Sequence, residues 1–293
     1  MLDDAIKVSV LILTKNEQAD LPGCLRSVTW CDDVHVYDSG STDNTVDIAR
    51  SMGAHVTQRS YPNSQAPFGG DEASHRNWGL CHIPFKHEWV LALDADERAT
   101  DSLVKALRHM SVAPGAFVGY RILRKDYFLG TWIRHVTVTP YQVRIFKPAH
   151  VSYERVINPI THIDGDIGEL DAHFDHYPFS KGMSHWFSKH NGYSTEEARH
   201  IVGGHDAQMR FSLLKAVFAR DIQVRRLHQK GLYYRMPLRP LVMFMGLYIG
   251  KRGFLDGRAG LVYAILRAIY EYMIVLKAEE LRQQGQRQAN TLS

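Results

Sequence analysis

The stretch VLALDADERAT, residues 90–100, sets three carboxylates within four positions at the end of an apolar run. On a strand, residues two apart point to one side, so Asp94 and Asp96 are placed to face a single point. Hard oxygen ligands of this kind suit Mg2+ or Mn2+, ions that keep several waters and often bridge the phosphates of a substrate. The competing reading is a solvated turn in which Asp96 caps a helix beginning near Thr100. Two further clusters have a similar form. VYDSGSTDNT (36–45) puts Asp38 at the end of an apolar run, before a turn of small residues. Its carboxylate can accept hydrogen bonds from a base or ribose, or the segment is an ordinary turn with Ser and Thr caps. SHRNWGL (74–80) offers Arg76 and Asn77 at a helix start, the arginine suited to stack on a base or pair with a phosphate.

Such clusters need elements that bring them to one edge. KVSVLIL (7–13), DVHVYD (33–38), HVTQR (55–59) and EWVLALDADE (88–97) read as strands. Between them, Leu21, Leu25 and Val28 recur at helical spacing, VDIARSMGA forms a short helix ending at Gly53, and EASHRNWGLCHI (72–83) forms another. Strands alternating with short helices predict an α/β fold, a mostly parallel sheet covered on both faces. Ligands of such sheets bind beyond the carboxyl ends of the strands, and polar clusters 14–20, 38–45 and 94–97 follow three of the four. Farther on, YRILRKDYF (120–128), YQVRIFKP (141–148) and HVSYERVI (150–157) read as strands, DAHFDHYPF (171–179) as a loop rich in ligand types, and MSHWFSKHNGYSTEEARHI (183–201) as a helix. From 211 onward two amphipathic helical stretches flank a segment broken by Pro and Gly.

With 293 residues, 45% apolar and 23% charged, the chain can bury a large core, which excludes disorder and disulfide scaffolds. Cys24, Cys31 and Cys81 show no CxxC spacing and suit a reducing compartment. No signal peptide is visible, and no stretch reaches the ~18 uncharged apolar residues of a membrane span. The longest candidate is LVMFMGLYIG at 241–250. Charge is uneven. Residues 210–293 hold 15 Lys and Arg against 5 Asp and Glu, a local +10, and the remainder holds 20 against 26, a −6.

Taken in series, ILTKNEQADLPGCLRSV, VYDSGSTDNTVDIA, RNWGL and WVLALDADERAT resemble family 2 glycosyltransferases of the GT-A fold. They look closest to the bacterial branch of lipopolysaccharide-core and exopolysaccharide glucosyltransferases. GTWIRHVTVTPYQVRIFKP and FLDGRAGLVYAILRAIYEYM resemble that branch too, so the likeness covers most of the chain. It implies inverting transfer of one sugar from a nucleotide donor, a UDP-sugar, with Mn2+ or Mg2+. By position, Thr14, Asn16, Glu17, Asp38 and Arg76 would line the nucleotide pocket, and Asp94 and Asp96 would be the DxD pair, with Asp96 ahead as direct metal ligand. Arg134, His135 and Arg144 match the family stretch and could touch donor phosphate or acceptor. Of the histidines in HFDHYP, His176 more than His173 would complete the metal shell or contact the diphosphate.

The resemblance also implies a general base where the branch carries V-H-E. Here the place reads VSYERVI: Glu154 is kept, and Tyr153 replaces the histidine. A surface Glu154–Arg155 pair is the alternative, and Asp164, Asp166 and Asp175 are substitutes. Trp132 and Trp186 could stack on sugar rings, though core packing is the simpler expectation. No QxxRW motif follows the DxD region, which favours single-sugar over processive transfer. Three parts are expected: 1–110, the nucleotide-sugar half; 111–209, the acceptor half; and 210–293, a basic amphipathic tail. Its segment 210–252 would lie on an anionic membrane surface, while the helix carrying Val262, Leu266, Ile269, Met273 and Leu276 would pack on the catalytic domain or in a homodimer. Together these place the protein in the cytoplasm, peripheral on the inner face of the cytoplasmic membrane, with a lipid-linked glycan or lipopolysaccharide as acceptor. A nucleic-acid partner is not expected, since no such motif accompanies the basic tail. The rivals are a non-catalytic nucleotide-sugar-binding scaffold and a nucleotidyltransferase. The latter usually carries a Gly-rich basic loop after the first strand, which ILTKNEQAD lacks.

Overall fold

The computed structural model describes residues 6–59, 71–137, 141–154, 159–203 and 238–292, with a few single positions between 212 and 236. The chain divides into two compact units, Met1–Ser184 and His185–Ser293.

The first unit begins β1 (Val8–Thr14), α1 (Leu21–Ser27), β2 (Val34–Asp38), α2 (Thr45–Ser51), β3 (His55–Gln58), α3 (Glu72–His82) and β4 (Trp89–Asp94). It continues through β5 (Glu97–Ala99), α4 (Asp101–Val112), β6 (Gly119–Phe128), β7 (Thr131–Trp132), β8 (Tyr141–Phe146), β9 (Val151–Glu154), β10 (Ile160–Ile163) and β11 (Ile167–His176). The central sheet runs β3-β2-β1-β4-β8-β6-β11-β5, with β7 paired to β6, while β9 and β10 form a separate hairpin. β3, β2, β1 and β4 are parallel; β8 lies antiparallel between β4 and β6; and β11 is parallel to β6. Most strands therefore run one way, and only β8, β7 and β5 oppose them. The expected α/β sheet is present.

Continuous apolar runs make the central strands, because both of their faces are covered. Along β1 and β4, Val10, Ile12, Leu91 and Leu93 join one core with Leu21, Leu25 and Leu103, whereas Leu11, Val90 and Ala92 join a second core with Tyr37 and Leu80. The second core depends on a close approach. A Cβ on Gly79 of α3 would lie 2.7 Å from the Tyr37 ring, so only glycine lets the helix sit this near β2. His75, one turn earlier, stacks on the same ring at 3.8 Å.

Two expectations need correction. EWVLALDADE is not one strand: β4 stops at Asp94, and the Glu97 carboxylate folds back to accept the Asp94 N–H at 2.8 Å. β5 then restarts at Glu97, antiparallel to β11. DAHFDHYPF is not a loop over its length, since 171–176 lie on β11, where buried Ala172 and Phe174 alternate with half-exposed His173 and Asp175. Ligand-type residues on the alternate positions disguised a strand with a clear inward phase.

The second unit contains most of α5 (Gly182–Gly203), then α6 (Arg239–Met245), a π-helical turn Gly246–Gly250, a 3-10 turn Gly253–Asp256, and α7 (Gly257–Leu292). Trp186 is buried and stacks on His190 at 3.8 Å, in line with packing rather than sugar binding. Lys277 of α7 donates to Asn191, Ser194 and Thr195 of α5. By length and composition Gly253–Arg287 is long and apolar enough to cross a membrane, which the count of uncharged residues did not register. Within 259–276 only Arg267 and Glu271 interrupt the apolar residues. Of the expected basic segment 210–252, nearly all of 210–237 lies outside the described residues, Lys215, Arg220, Arg225 and Arg226 included.

Candidate active site

The carboxyl ends of β1 and β2 are tied together before any ligand is considered. Thr14 donates to Asp38 Oδ1 at 3.0 Å, and Lys15 Nζ reaches the carbonyls of Ser39 and Gly40. Asp38 is fully buried, and its other oxygen accepts the N–H groups of Gly40 and Ser41 at 3.0 and 2.8 Å. A carboxylate has about four acceptor positions, and with Ser41 Oγ at 2.5 Å those of Asp38 are taken within the turn. Asp38 thus shapes the loop at the expected nucleotide edge. Asn16, at φ 56°, holds Thr42 through its side chain and Ser41 through its N–H. Glu17 pairs with Lys181 at 2.5 Å; burial pushes its carboxyl up to about 7 against the opposing pull of that lysine.

Two arginines converge at the end of β4. Arg144 of β8 donates to Asp94 Oδ2 at 2.9 Å and to the wholly buried Glu97 at 2.5 Å. Arg76 of α3 lies 3.5 Å from Asp94 Oδ1 and 2.9 Å from Glu72, with its guanidinium over the Tyr153 ring. Burial raises the Asp94 carboxyl, but the two arginines outweigh it and hold the group well below the usual carboxylate range. Glu97, more deeply enclosed, is pushed up to about 7 by burial despite Arg144.

Asp96 turns elsewhere. Because the strand ends at Asp94, the two-residue alternation does not carry through Ala95, and the two aspartates take different partners. Asp96 Oδ2 lies 3.4 Å from Nε2 of His176, the last residue of β11. The other ring nitrogen, Nδ1, is 2.6 Å from Asp126 of β6. Asp126 is buried and also held by Arg124 at 2.7 Å and Thr137 at 3.2 Å. Burial lowers the His176 pKa, yet Asp96 and Asp126 together raise it to about 10. Asp96 does not cap the following helix: Thr100 does so, accepting from the Leu103 N–H.

This donor set fits a divalent cation held jointly with a substrate. Two ligands about 2.1 Å from one ion and roughly a right angle or more apart are separated by about 3.0–4.2 Å, which brackets the Asp96–His176 spacing. Among the described residues no cluster of three or more His, Cys, Asp or Glu side chains could hold a metal. Asp96 and His176 would supply two ligands, leaving the rest of a shell to phosphate oxygens and water. Asp94 is committed to the arginines, and His173, on the opposite face of β11, bonds Ser102 instead.

Glu154 ends β9, its side chain 71% exposed and 3.1 Å from His162. Asn77 of α3 grips the neighbouring Tyr153 backbone at both its N–H (2.8 Å) and its carbonyl (2.9 Å). Glu154, Tyr153, Asn77, Trp78 and Arg59 line an open cleft of 610 Å³. Its proposed partner Arg155 lies outside the described residues. Trp132 is half-buried beneath Lys125 and Arg134. Asp164 and Asp166 are exposed in the turn before β11. The residues that sequence reading missed are Glu97, Asp126 and Arg124. Asp126 was detectable in principle: it stands in the inward phase of β6 with Tyr120, Ile122 and Phe128, where a carboxylate requires partners.

A mostly parallel sheet with acidic loops at the carboxyl ends of its strands is a framework that binds ligands at that edge. The family described as Glycosyl transferase family 2 matches residues 9–218, and the chain belongs to it. It is 25% identical over 274 residues to the lipopolysaccharide core biosynthesis glycosyltransferase LpsC of Rhizobium meliloti (strain 1021), covering 91% of this chain and 92% of the relative. An uncharacterized glycosyltransferase of Rickettsia typhi (strain ATCC VR-144 / Wilmington) is 24% identical over 289 residues, covering 94% and 87%. Among solved structures, glucosyl-3-phosphoglycerate synthase from Mycobacterium tuberculosis, in complex with Mn2+, UDP-glucose and phosphoglyceric acid, matches with TM-score 0.32 and 19% identity. That match covers 40% of this chain and 43% of that one, and bears on neither donor nor metal here.

Proposed function

We propose that this glycosyltransferase moves one sugar, with inversion, from a UDP-sugar to a lipid-linked or lipopolysaccharide or exopolysaccharide acceptor, with Mn2+ or Mg2+. The observation that carries the reading is the convergence of Asp96 and His176 at the carboxyl edge of the sheet. Residues 1–110 would bind the donor and 111–209 the acceptor. The likeness to a lipopolysaccharide core glycosyltransferase supports the acceptor class, and a basic segment at 210–252 suits the inner face of the cytoplasmic membrane.

Asp96 and His176 would hold the cation, which when bound neutralises charge gathering on the departing diphosphate. Asn16 and Glu17, on the loop braced by Thr14 and Asp38, would border the nucleotide. Arg144 and Arg76 would fix Asp94, keeping the edge of β4 rigid where the diphosphate approaches. Glu154, at an open cleft, would take the proton from the acceptor hydroxyl, a role worth about 10²–10⁴ in rate.

The test is calorimetric titration of the purified chain with a panel of nucleotide sugars, in Mn2+ and in EDTA. Metal-dependent binding of one donor supports the reading and names the sugar. Absence of binding to every donor in either condition overturns it.

A further inference from the structure

Between residues 238 and 278 the second unit forms a helical hairpin with two unlike faces. On the inner face Leu247, Tyr270 and Ile274 are buried, and Arg239 pairs with Glu271 at 2.7 Å, both enclosed. At the turn, a Cβ on Gly260 would lie 2.1 Å from the Gly253 carbonyl, so glycine is what seats the 3-10 turn on α7. The outer face is apolar and open. Leu241, Met245 and Ile249 are exposed on the α6 side, Phe254 and Leu255 at the turn, and Ile269 on α7. Leu241 and Tyr272 line one cleft of 500 Å³, so the open faces of the two helices adjoin.

Charge says what covers this face. The exposed charges at the turn are Lys251, Arg252 and Arg258. From 238 to 278 the acidic residues are Asp256 and Glu271, and both are buried. The exposed carboxylates of α7, Glu279 and Glu280, lie about 30 Å of helix beyond Arg258, so a second copy pairing through the turn would bring none to meet those cations. The chain's own residues 204–237 carry seven Lys and Arg against two Asp, so they would repel them. The complement is an anionic, apolar-backed surface.

We propose that the outer face of the α6–α7 hairpin docks on an anionic lipid bilayer, lying in the interfacial plane with Lys251, Arg252 and Arg258 among the headgroups. Spanning is disfavoured by length on α6 and by packing on α7, where Gly253–Arg287 is long enough to cross but Leu266, Tyr270, Glu271 and Ile274 are buried within the protein. Arg239 to Gly250 is twelve residues, about 18 Å of helix against a hydrocarbon core of about 30 Å, and insertion through the core would carry the three cations across. An in-plane helix instead buries its apolar side shallowly and leaves its cations at the surface. This rests on the reading of the enzyme as one that works at a membrane, and it adds the surface responsible.

The experiment is sedimentation of the full chain with vesicles of phosphatidylcholine alone or mixed with phosphatidylglycerol, at low and high salt. Binding to the mixed vesicles, weakened by salt, is expected. Lys251→Gln/Arg252→Gln/Arg258→Gln should bind on the order of 100-fold more weakly, at several-fold per cation, and Phe254→Ser/Leu255→Ser should also lose binding. Both variants should bind UDP with Mn2+ as the wild type does, which shows that they are folded. Equal sedimentation with both vesicle types, no sedimentation with either, or a triple variant that binds like wild type would overturn the proposal. A dimer in gel filtration that Phe254→Ser/Leu255→Ser dissolves would do so too, in favour of a second copy. Failure of the wild-type chain to bind UDP would instead count against the transferase reading, whatever the vesicles show.

Discussion

Asp126 Oδ1 lies 2.6 Å from Nδ1 of His176, and that contact decides which nitrogen of the ring is left for Asp96. With Nδ1–H given to a buried carboxylate, Nε2 is the atom presented at 3.4 Å to Asp96. Arg124 and Thr137 hold Asp126 from behind, so the imidazole is braced by side chains of β6 and of the segment that follows β7. An outer carboxylate on a ligand histidine raises its basicity and fixes its orientation.

Asp126→Asn should therefore weaken Mn2+ binding about 10- to 100-fold with little change in fold, because the amide keeps the shape of the side chain. Electron paramagnetic resonance titration of Mn2+ reads this directly, without turnover. Unchanged affinity would mean that Asp126 serves only the packing of β6.

Arg144 answers two carboxylates at once, the half-buried Asp94 and the wholly buried Glu97. Removing it leaves charge uncompensated in the interior, which costs about 3–5 kcal/mol. Arg144→Met should lower the urea midpoint at pH 8 accordingly, and adding Glu97→Gln should recover a substantial part. A double variant no more stable than the single one would show that Glu97 is not the carboxylate that Arg144 protects.

Much of the fold was legible because β1, β2 and β4 are apolar runs, each closed by a polar cluster. The burial of Val10, Ile12, Leu91 and Leu93 follows from that pattern. What was hidden depended on long-range partners. His173, Asp175 and His176 read as loop residues since nothing local shows that β11 is paired on both sides, with β6 and β5. Asp94 and Asp96 were read as facing one point because the strand's end at Asp94 is set by Glu97, a contact made through its side chain. Arg144 was legible as a site residue through the resemblance, but its partners were not. The exposed face of α6 and α7 was hidden for another reason. Periodicity marks an apolar stripe but does not say whether protein covers it.

His75 gives the first unit a built-in acid sensitivity. Burial against Tyr37 lowers its pKa to about 3, and the charges of Arg59, Arg76 and Lys15 act in the same direction, with Asp38 opposing. The unfolded histidine titrates near 6.5, so between pH 6.5 and 3 the unfolded chain binds more protons than the folded one. Stability from this group is full above 6.5 and is lost as pH falls through that window. Glu17, raised to about 7, works in the opposite sense, losing stability as pH rises from its ordinary value toward 7. Comparing wild type with His75→Gln isolates the histidine. The difference in urea midpoint between the two should shift in favour of the variant as pH drops from 7 to 4. A constant difference would place the proton elsewhere.

Glu154 is the residue whose role divides most sharply between chemistry and scaffolding. Its backbone is held through Tyr153 by Asn77, and its side chain is exposed, so replacing the carboxylate removes no buried contact. Glu154→Gln should then leave thermal stability and donor binding within experimental scatter of wild type while lowering transfer about 10²- to 10⁴-fold, the range for a positioned base. Asn77→Ala should differ in kind. It frees both backbone groups of Tyr153, so it should lower stability and transfer together. If Glu154→Gln instead loses donor binding and transfer in equal measure, the carboxylate acts in the donor pocket, and the base must be sought at Asp164, Asp166 or Asp175.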